Sequence, residues 1–173
     1  MFDICIYGNP VLRKKAREIS VFDDELRGFV EEMTETMKVK DGVGLAAPQV
    51  DTSVRIAVVD TTGGEQEPSV LINPRITSFS EEREDFEEGC LSIPDIRLKV
   101  NRPSRVSVTA FDIDGKQYTI ENADGLLARA VQHEIDHLDG ILFVDRVSPV
   151  TRQLVAGKLK KMAKSQKAGT KAA

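Results

Sequence analysis

The sequence predicts an α+β fold with mostly antiparallel sheet in the middle of the chain, an N-terminal helix before it, and a central and a C-terminal helix after it. In the middle of the chain, short and partly alternating apolar segments are separated by turn residues, which is typical of antiparallel sheets. Three other stretches carry apolar residues at the three- and four-residue spacing of amphipathic helices. The length of 173 residues fits one domain over residues 1–165, followed by a basic, disordered tail at 166–173.

The N-terminal helix is predicted from a single apolar face. The residues of that face are Leu26, Phe29, Val30, Met33 and Met37. Asp23 or Ser20 can cap the helix, because a short polar side chain accepts hydrogen bonds from the first backbone N–H groups. Glycines begin at Gly42, so we expect the helix to end near Asp41.

The strand candidates are short segments between turn signals. They comprise residues 54–59, 70–72, 76–79, 98–100, 106–110 and 118–120. The dipeptides Asn73-Pro74, Arg102-Pro103 and Asp114-Gly115 predict turns between these segments, and the last of them suits a tight hairpin. We therefore expect a mostly antiparallel sheet in this part of the chain.

The central helix is predicted to begin after Asp124 and to end at Asp139-Gly140. Its buried side consists of Leu126, Leu127, Ala130, Val131, Ile135 and Leu138. A third helix is expected over about residues 150–163.

An H-E-x-x-H motif lies inside the central helix and contains both histidines of the chain, His133 and His137. Four residues make slightly more than one helical turn, so both imidazoles project from one face and can bind one cation. Glu134 lies beside the first ligand and can accept the proton of a water held at such a site. The central helix is therefore the predicted metal-binding helix of a catalytic domain.

A catalytic metal site usually has three protein ligands, so the two histidines need a partner. No glutamate or histidine follows His137, which leaves Asp139 and Asp145 as downstream candidates. The upstream candidate is Cys90, whose thiolate would be a strong ligand for divalent iron, zinc or cobalt. Taken by itself, Cys90 would more often be a small buried apolar residue, but the two unassigned histidines favour the ligand interpretation. Cys5, between two isoleucines, is expected in the core.

The glycine-rich segment at residues 42–49 partly matches a dinucleotide-binding fingerprint, with Asp60 ending the next apolar segment. That fingerprint follows a strand and opens a helix, whereas a helix precedes Gly42 here and Pro48 soon interrupts the segment. An extended backbone lining a cleft is the better interpretation. Its open N–H and C=O groups would contact a peptide, and the Gln49 amide would face the reacting carbonyl.

Three separated motifs together resemble those of peptide deformylases: residues 42–49, residues 88–92 and residues 132–137. The similarity continues into the flanking residues 126–130 and 138–143 and covers nearly all of residues 1–147. This resemblance implies an α+β fold in which antiparallel β-sheets pack around the central metal-binding helix. It implies an enzyme that removes the N-formyl group from the initiator methionine of nascent chains and releases formate. It also implies Cys90, His133 and His137 as ligands, most often of Fe²⁺, with Zn²⁺, Ni²⁺ or Co²⁺ as possible substitutes.

The resemblance also assigns roles around the metal. Glu134 is the expected general base, and Gln49 and the Leu91 N–H are the expected donors to the oxyanion. The substrate-binding residues that we expect along the cleft and around the methionine side chain are Gly42, Val43, Gly44, Leu126 and Arg129. Glu88 is the expected orienting residue, paired with Arg102.

The C-terminal part of the chain is strongly basic. From Arg152 onward it contains seven lysine and arginine residues and no aspartate or glutamate, although the whole chain has a net charge of −4. This segment predicts docking on the ribosome through the C-terminal helix and tail, with a solvated, frayed terminus as the alternative. No apolar run reaches the ~20 residues of a membrane span. Residues 1–5 also lack a signal-peptide pattern. We expect a cytoplasmic protein without a membrane or DNA partner.

The sequence is compatible with two other functions. A zincin-like endopeptidase would use Asp139 or Asp145 as its third ligand, and a non-catalytic factor would use the basic segment alone.

Overall fold

The computed structural model describes residues 1–169, and the side chains of residues 1–166. Within these residues the chain forms three α-helices and seven strands. In chain order they are α1 (Asp24–Val39), β1 (Gly44–Ala46), β2 (Ile56–Val59), β3 (Ser69–Phe79), β4 (Arg83–Cys90), β5 (Ile93–Pro103), β6 (Val106–Phe111), β7 (Gln117–Ala123), α2 (Gly125–Leu138) and α3 (Pro149–Gly169). The α+β prediction is confirmed.

The strands form two antiparallel sheets. The larger sheet has five strands in the order β1-β2-β3-β6-β7, and the smaller one is the β4-β5 pair. The predicted hairpin at Asp114-Gly115 joins β6 to β7, where Gly115 takes a φ of 76° that a residue with a side chain rarely adopts. The Asp112 carboxylate accepts hydrogen bonds from the N–H groups of Asp114 and Lys116 and so stabilises this turn.

The turn predicted at Asn73-Pro74 is wrong, because β3 runs through both residues as one strand. The pairing with β6 shifts between Ile72 and Arg75, which marks a β-bulge at this point. Asn73 has a φ of 49°, and its side-chain amide bonds to both the N–H and the C=O of Ile19. The bulge thereby accommodates Pro74, which has no N–H to donate a hydrogen bond to the neighbouring strand.

Strand β4 was missing from the sequence prediction, and β5 is longer than the predicted segment 98–100. Most of β4 is exposed and acidic, so no apolar alternation indicates a strand. The predicted turn at Arg102-Pro103 is instead the end of β5, where Pro103 pairs with Arg83. The register of β4 shifts between Glu88 and Cys90, at the end of the strand that leads to Cys90.

The larger sheet is packed between α1 and α2. Along β2, Ile56 and Val58 join the apolar cluster of α1, whereas Ala57 and Val59 join the cluster of α2. This is the two-residue alternation of a strand that is covered on both faces. The α2 cluster contains several alanines of the sheet and the helix, whose small side chains allow a close approach.

Helix α2 is central in the fold. Its residues from Ala128 to Leu138 are all buried. A third apolar cluster is formed by residues of β5, the segment from Leu142 to Val144, Leu159 of α3, and Val11 and Leu12 near the N-terminus. Its Phe143 ring stacks on His133 of α2. Burying each large aliphatic side chain contributes about 1.5–3 kcal/mol, so Val131, Ile135 and Leu138 hold the helix against the larger sheet.

The helix ends largely follow the predictions. Asp23 caps α1 by accepting a hydrogen bond from the Leu26 N–H at 3.0 Å. Asp124 occupies the N-cap position of α2, although its side chain makes no capping hydrogen bond. After α2, Gly140 takes a φ of 74°.

Helix α3 runs from Pro149 to Gly169 and is longer than the predicted segment 150–163. The tail predicted for 166–173 thus overlaps the end of this helix, and residues 170–173 lie outside the described residues. Among the helices that the structure describes, none combines the length and apolar character that a bilayer span requires.

Candidate metal centre

Helix α2 and the end of β4 bring three ligand atoms together. Cys90, His133 and His137 offer one sulfur and two ring nitrogens that all lie within 4.8 Å of one another. The Cys90 Sγ is 3.2 Å from His137 Nε2, and the two imidazole centroids are 5.0 Å apart. Phe143 stacks on the His133 ring at 5.9 Å.

This donor set fits a catalytic transition metal. One thiolate and two imidazoles supply three ligands of the type that iron, zinc and cobalt accept, and such a set leaves a position for water or substrate. The downstream aspartates are engaged elsewhere: Asp139 accepts a hydrogen bond from Arg55 at 2.7 Å, and Asp145 pairs with Arg13 and Arg152. The site is therefore a Cys-His-His metal-binding site.

Glu134 lies between the ligands on α2 and faces the same cavity as His133. Among the described residues, its Oε2 has no hydrogen-bond partner, although the side chain is buried. Burial raises the pKa of the Glu134 carboxyl to about 7. A carboxylate in this setting is able to accept and return a proton near neutral pH.

Glu88 lies next to His133, and its role as an orienting residue stays a prediction. Its Oε2 is 3.0 Å from His133 Nδ1, and its two oxygens accept hydrogen bonds from Arg102 Nε at 2.7 Å and Nη2 at 3.0 Å. Burial opposes ionisation of Glu88, but the hydrogen bonds from His133 and Arg102 outweigh it and lower the pKa to about 2. The ionised carboxylate is suited to accept a hydrogen bond from the Nδ1–H of His133, which would leave Nε2 free to bind a metal.

The Gln49 side chain also reaches the site. Its Oε1 accepts a hydrogen bond from the Ala46 N–H at 2.9 Å, which fixes the amide on β1. Its Nε2 is 3.4 Å from Cys90 Sγ and 3.2 Å from Ser92 Oγ. Leu91 follows the cysteine ligand directly and lines the same cavity as Gln49.

A cavity of about 270 Å³ opens beside the three ligands. The predicted substrate-binding residues Gly42, Val43, Gly44, Leu126 and Arg129 all line it. Val43 and Leu126 are both partly exposed there. The apolar side chains and the open backbone of the glycines are thus available to one ligand.

The contacts of Arg129 are mainly structural. The guanidinium donates hydrogen bonds to Glu88 Oε1 at 3.2 Å, to the Val100 carbonyl at 3.0 Å and to the Glu84 carbonyl at 2.8 Å. It also lies over the Phe86 ring, 5.6 Å from its centroid. Arg129 therefore ties α2 to the β4-β5 sheet, and its contact with substrate stays a prediction.

Sequence reasoning missed several residues of the cavity and its surroundings. Phe86 and Arg97 line the cavity, and Ser92 holds the Gln49 amide. Phe86 is the one aromatic residue in an acidic stretch, a signal that could have indicated a strand with one functional face. Arg97 and Ser92 carry no comparable signal in the sequence.

Replacing Gly44 by alanine is expected to lower catalytic activity by displacing Glu134. A Cβ at this position would lie 2.8 Å from Glu134 Cδ and 2.9 Å from its Cγ, closer than carbon atoms approach in proteins. Metal content should be retained, and kcat should fall by at least tenfold. The matched control is Gly28→Ala on α1, where an added Cβ meets nothing within 4 Å. Equal kcat values for the two variants would contradict the expectation.

The α+β fold, the buried H-E-x-x-H helix and the cysteine ligand define a metal-dependent hydrolase. Residues 1–153 match the polypeptide deformylase family. The chain belongs to this family of enzymes, which remove the N-formyl group from nascent peptides.

Individual peptide deformylases are similar to this chain over almost its whole length. A peptide deformylase of Acinetobacter baumannii is 45% identical over 166 residues, covering 96% of this chain and 94% of the relative. One from Chromohalobacter salexigens is 50% identical over 157 residues, covering 91% and 90%. The crystal structure of Arabidopsis thaliana peptide deformylase 1B superposes with a TM-score of 0.93 at 39% identity, covering 98% of this chain and 94% of that one.

Proposed function

We propose that this chain hydrolyses the formamide of N-terminal formylmethionine with Glu134 as proton carrier beside a metal held by Cys90, His133 and His137. The observation that carries the proposal is the buried Glu134 oxygen without a hydrogen-bond partner among residues 1–169, in the cavity beside the ligands. When bound, the metal supplies Lewis acidity and lowers the pKa of a water. Glu134 takes the proton of the attacking water and returns it to the leaving amine nitrogen, so that formate and a free α-amino group are produced.

Gln49 and Leu91 are proposed to stabilise the negative charge that develops on the formyl oxygen. Gln49 supports this role because its Oε1 is fixed by the Ala46 N–H, which directs the Nε2 donor towards Cys90. The Leu91 backbone N–H follows the ligand in sequence and belongs to a residue of the cavity wall. Losing one such donor typically lowers the rate by about 10²–10³-fold.

The substrate is proposed to lie along the backbone of residues 42–44, with the methionine side chain against Val43 and Leu126. Both side chains are partly exposed in the cavity wall, so they offer apolar surface that a thioether chain can cover. Gly42 and Gly44 keep the neighbouring backbone accessible for hydrogen bonds with a peptide.

The Cys90→Ser variant tests both the ligand set and the function. We expect it to bind Zn²⁺ at least tenfold more weakly and to lose formate release from a formyl-Met peptide, because a hydroxyl is a much poorer ligand than a thiolate. The control is Asp139→Asn, which should keep Zn²⁺ affinity within twofold since Asp139 bonds to Arg55. Unchanged metal affinity in Cys90→Ser, or cleavage of internal peptide bonds by the wild type, would favour the endopeptidase instead.

The native metal is proposed to be Fe²⁺, with Zn²⁺, Ni²⁺ and Co²⁺ as possible substitutes. The thiolate and imidazole donors support this range, because they bind all four of these ions. Metal analysis of protein purified without oxygen is the direct test. Iron should be the main metal, and activity should decline in air as the thiolate or the ferrous ion is oxidised. A stoichiometric zinc content with air-stable activity would contradict the iron proposal.

The cytoplasm is the proposed location and the ribosome the proposed docking partner, through α3. Four lysines of this helix are exposed: Lys158, Lys160, Lys161 and Lys164. Replacing all four by glutamine should abolish co-sedimentation with ribosomes at low salt while leaving formate release from a short peptide intact, since the contact is electrostatic.

The control for the α3 lysines neutralises four exposed lysines elsewhere, namely Lys14, Lys15, Lys38 and Lys40. Equal loss of co-sedimentation in both variants would mean that overall charge decides binding. In that case the proposal for α3 fails.

Fractionation of cells that produce the untagged protein tests the location.

A further inference from the structure

A row of charged side chains leads from the metal ligand His133 to the protein surface. Glu88 contacts His133 Nδ1 at 3.0 Å and is itself held by Arg102 through two nitrogens. The remaining terminal nitrogen of Arg102, Nη1, donates to Asp136 Oδ2 at 2.7 Å. Arg102 is thus fixed by two carboxylates at once, and its orientation depends on both.

Asp136 belongs to the H-E-x-x-H segment of α2 but lies outside the group of metal ligands. It receives hydrogen bonds from Arg102 and from Arg146, whose Nε lies 3.0 Å from Oδ2 and whose Nη2 contacts Oδ1. The carboxylate therefore joins an arginine near the metal ligand to one that follows the turn Phe143–Asp145.

Burial decreases along this row. The exposed fractions of the side chains are 3% for Glu88, 5% for Arg102, 9% for Asp136 and 44% for Arg146. Charge-assisted hydrogen bonds among buried groups are strong and directional, because water does not compete with them. The outermost member, Arg146, can be changed without placing an uncompensated charge deep inside the protein.

The two imidazole ligands differ in their outer contacts. His133 Nδ1 has the Glu88 carboxylate, whereas His137 Nδ1 has no hydrogen-bond partner within residues 1–169. The outer hydrogen bond of a metal-bound histidine fixes its tautomer and ring orientation. In the part of the chain that the structure describes, His133 is therefore the ligand whose tautomer and ring orientation are fixed by an outer hydrogen bond.

We propose that Asp136 and Arg146 are positioning residues for metal ligation by His133, acting through Arg102 and Glu88. The inference rests on the proposed function in one respect, namely that both use the Cys90, His133 and His137 site. Loss of an outer partner of a metal-bound histidine commonly weakens metal binding by about 10–100-fold. We expect about tenfold for Arg146, because it is the most distant member of the row.

The primary test compares two arginines of nearly equal exposure. Arg146 is 44% exposed and pairs with Asp136, while Arg152 is 43% exposed and pairs with Asp145. Zn²⁺ dissociation constants are measured by competition with a chromogenic chelator for the wild type, Arg146→Gln and Arg152→Gln. Arg146→Gln should raise the constant about tenfold, and Arg152→Gln should stay within twofold of the wild type. Equal constants for the two variants would overturn the proposal.

A second measurement separates positioning from simple stabilisation. In the Zn²⁺-loaded protein, the ¹⁵N chemical shift of His133 Nδ1 should change in Arg146→Gln and in Asp136→Asn. The Glu88→Gln variant, which removes the direct partner of Nδ1, gives the largest change in this shift and serves as the reference. With saturating metal, KM for a formyl-Met peptide should be unchanged while kcat falls. If the variants lower Tm but leave the Zn²⁺ constant and the ¹⁵N shift as in the wild type, the row is merely structural and the proposal is wrong.

The two proposals can fail separately. A wild type that releases no formate, but whose Zn²⁺ affinity still depends on Arg146, would refute the proposed function and leave the positioning row intact. Full formate release by the wild type, with a Zn²⁺ affinity that does not depend on Arg146, would support the proposed function and refute the positioning role of Asp136 and Arg146.

Discussion

Glutamine in place of Glu134 is expected to lower formate release from a formyl-Met peptide by about 10²–10⁴-fold, the usual contribution of a positioned acid–base group. The amide keeps the size of the side chain but cannot take the proton of the attacking water. Because Glu134 is not among the three metal ligands, the metal content of the variant should equal that of the wild type. The measurement is kcat with metal content determined on the same sample.

The matched control for Glu134 is Glu121→Gln on β7, which makes the same chemical change on an exposed residue. It should retain wild-type kcat. If Glu134→Gln kept more than a tenth of the wild-type kcat at full metal occupancy, another group would have to carry the proton. Loss of metal in the variant would instead show that Glu134 supports the site rather than the chemistry.

Methionine in place of Arg102 is expected to lower the free energy of unfolding by about 3–5 kcal/mol. The substitution leaves the buried carboxylates of Glu88 and Asp136 without the guanidinium that they share. Breaking a buried ion pair by removing one partner is costly because the remaining charge is not solvated. Urea unfolding of the Zn²⁺-loaded protein, followed by circular dichroism, measures the change.

Arg105 provides the comparison for Arg102. It pairs with Glu82 at the surface, where both side chains are more than half exposed. Such pairs contribute about 0–1 kcal/mol, so Arg105→Met should unfold at nearly the wild-type urea concentration. A difference of less than 1 kcal/mol between the two variants would mean that the buried network does not stabilise the fold.

The sequence predicted those parts of the molecule where one physical signal dominates. Helices α1 and α2 have a clear apolar periodicity, and the spacing of His133 and His137 places both on one helical face. The turn at Gly115 was predictable because an Asp-Gly pair is a strong turn signal, and its glycine readily takes the positive φ that it has here. Cys90 required a second argument, since a single cysteine is compatible with burial as well as with ligation.

Long-range polar contacts explain what the sequence left out. Strand β4 has no apolar alternation, because hydrogen bonds to β5 and contacts with Arg129 hold it instead of a buried face. The bulge at Asn73 depends on bonds to Ile19, which is 54 residues away. Asp136 has no role in the sequence prediction, and its two arginine partners lie on other elements. No local pattern encodes such pairs.

The position of Cys90 at the end of β4 also bears on how the molecule folds. Cys90 and His137 are 47 residues apart in the chain, and β5, β6, β7 and most of α2 lie between them. Ligands this distant meet late, because closing a long loop costs chain entropy before any contact compensates for it. A bound ion joins the β4-β5 hairpin to α2 and would slow their separation. Removing it should therefore accelerate amide hydrogen exchange in β4 and β5 first.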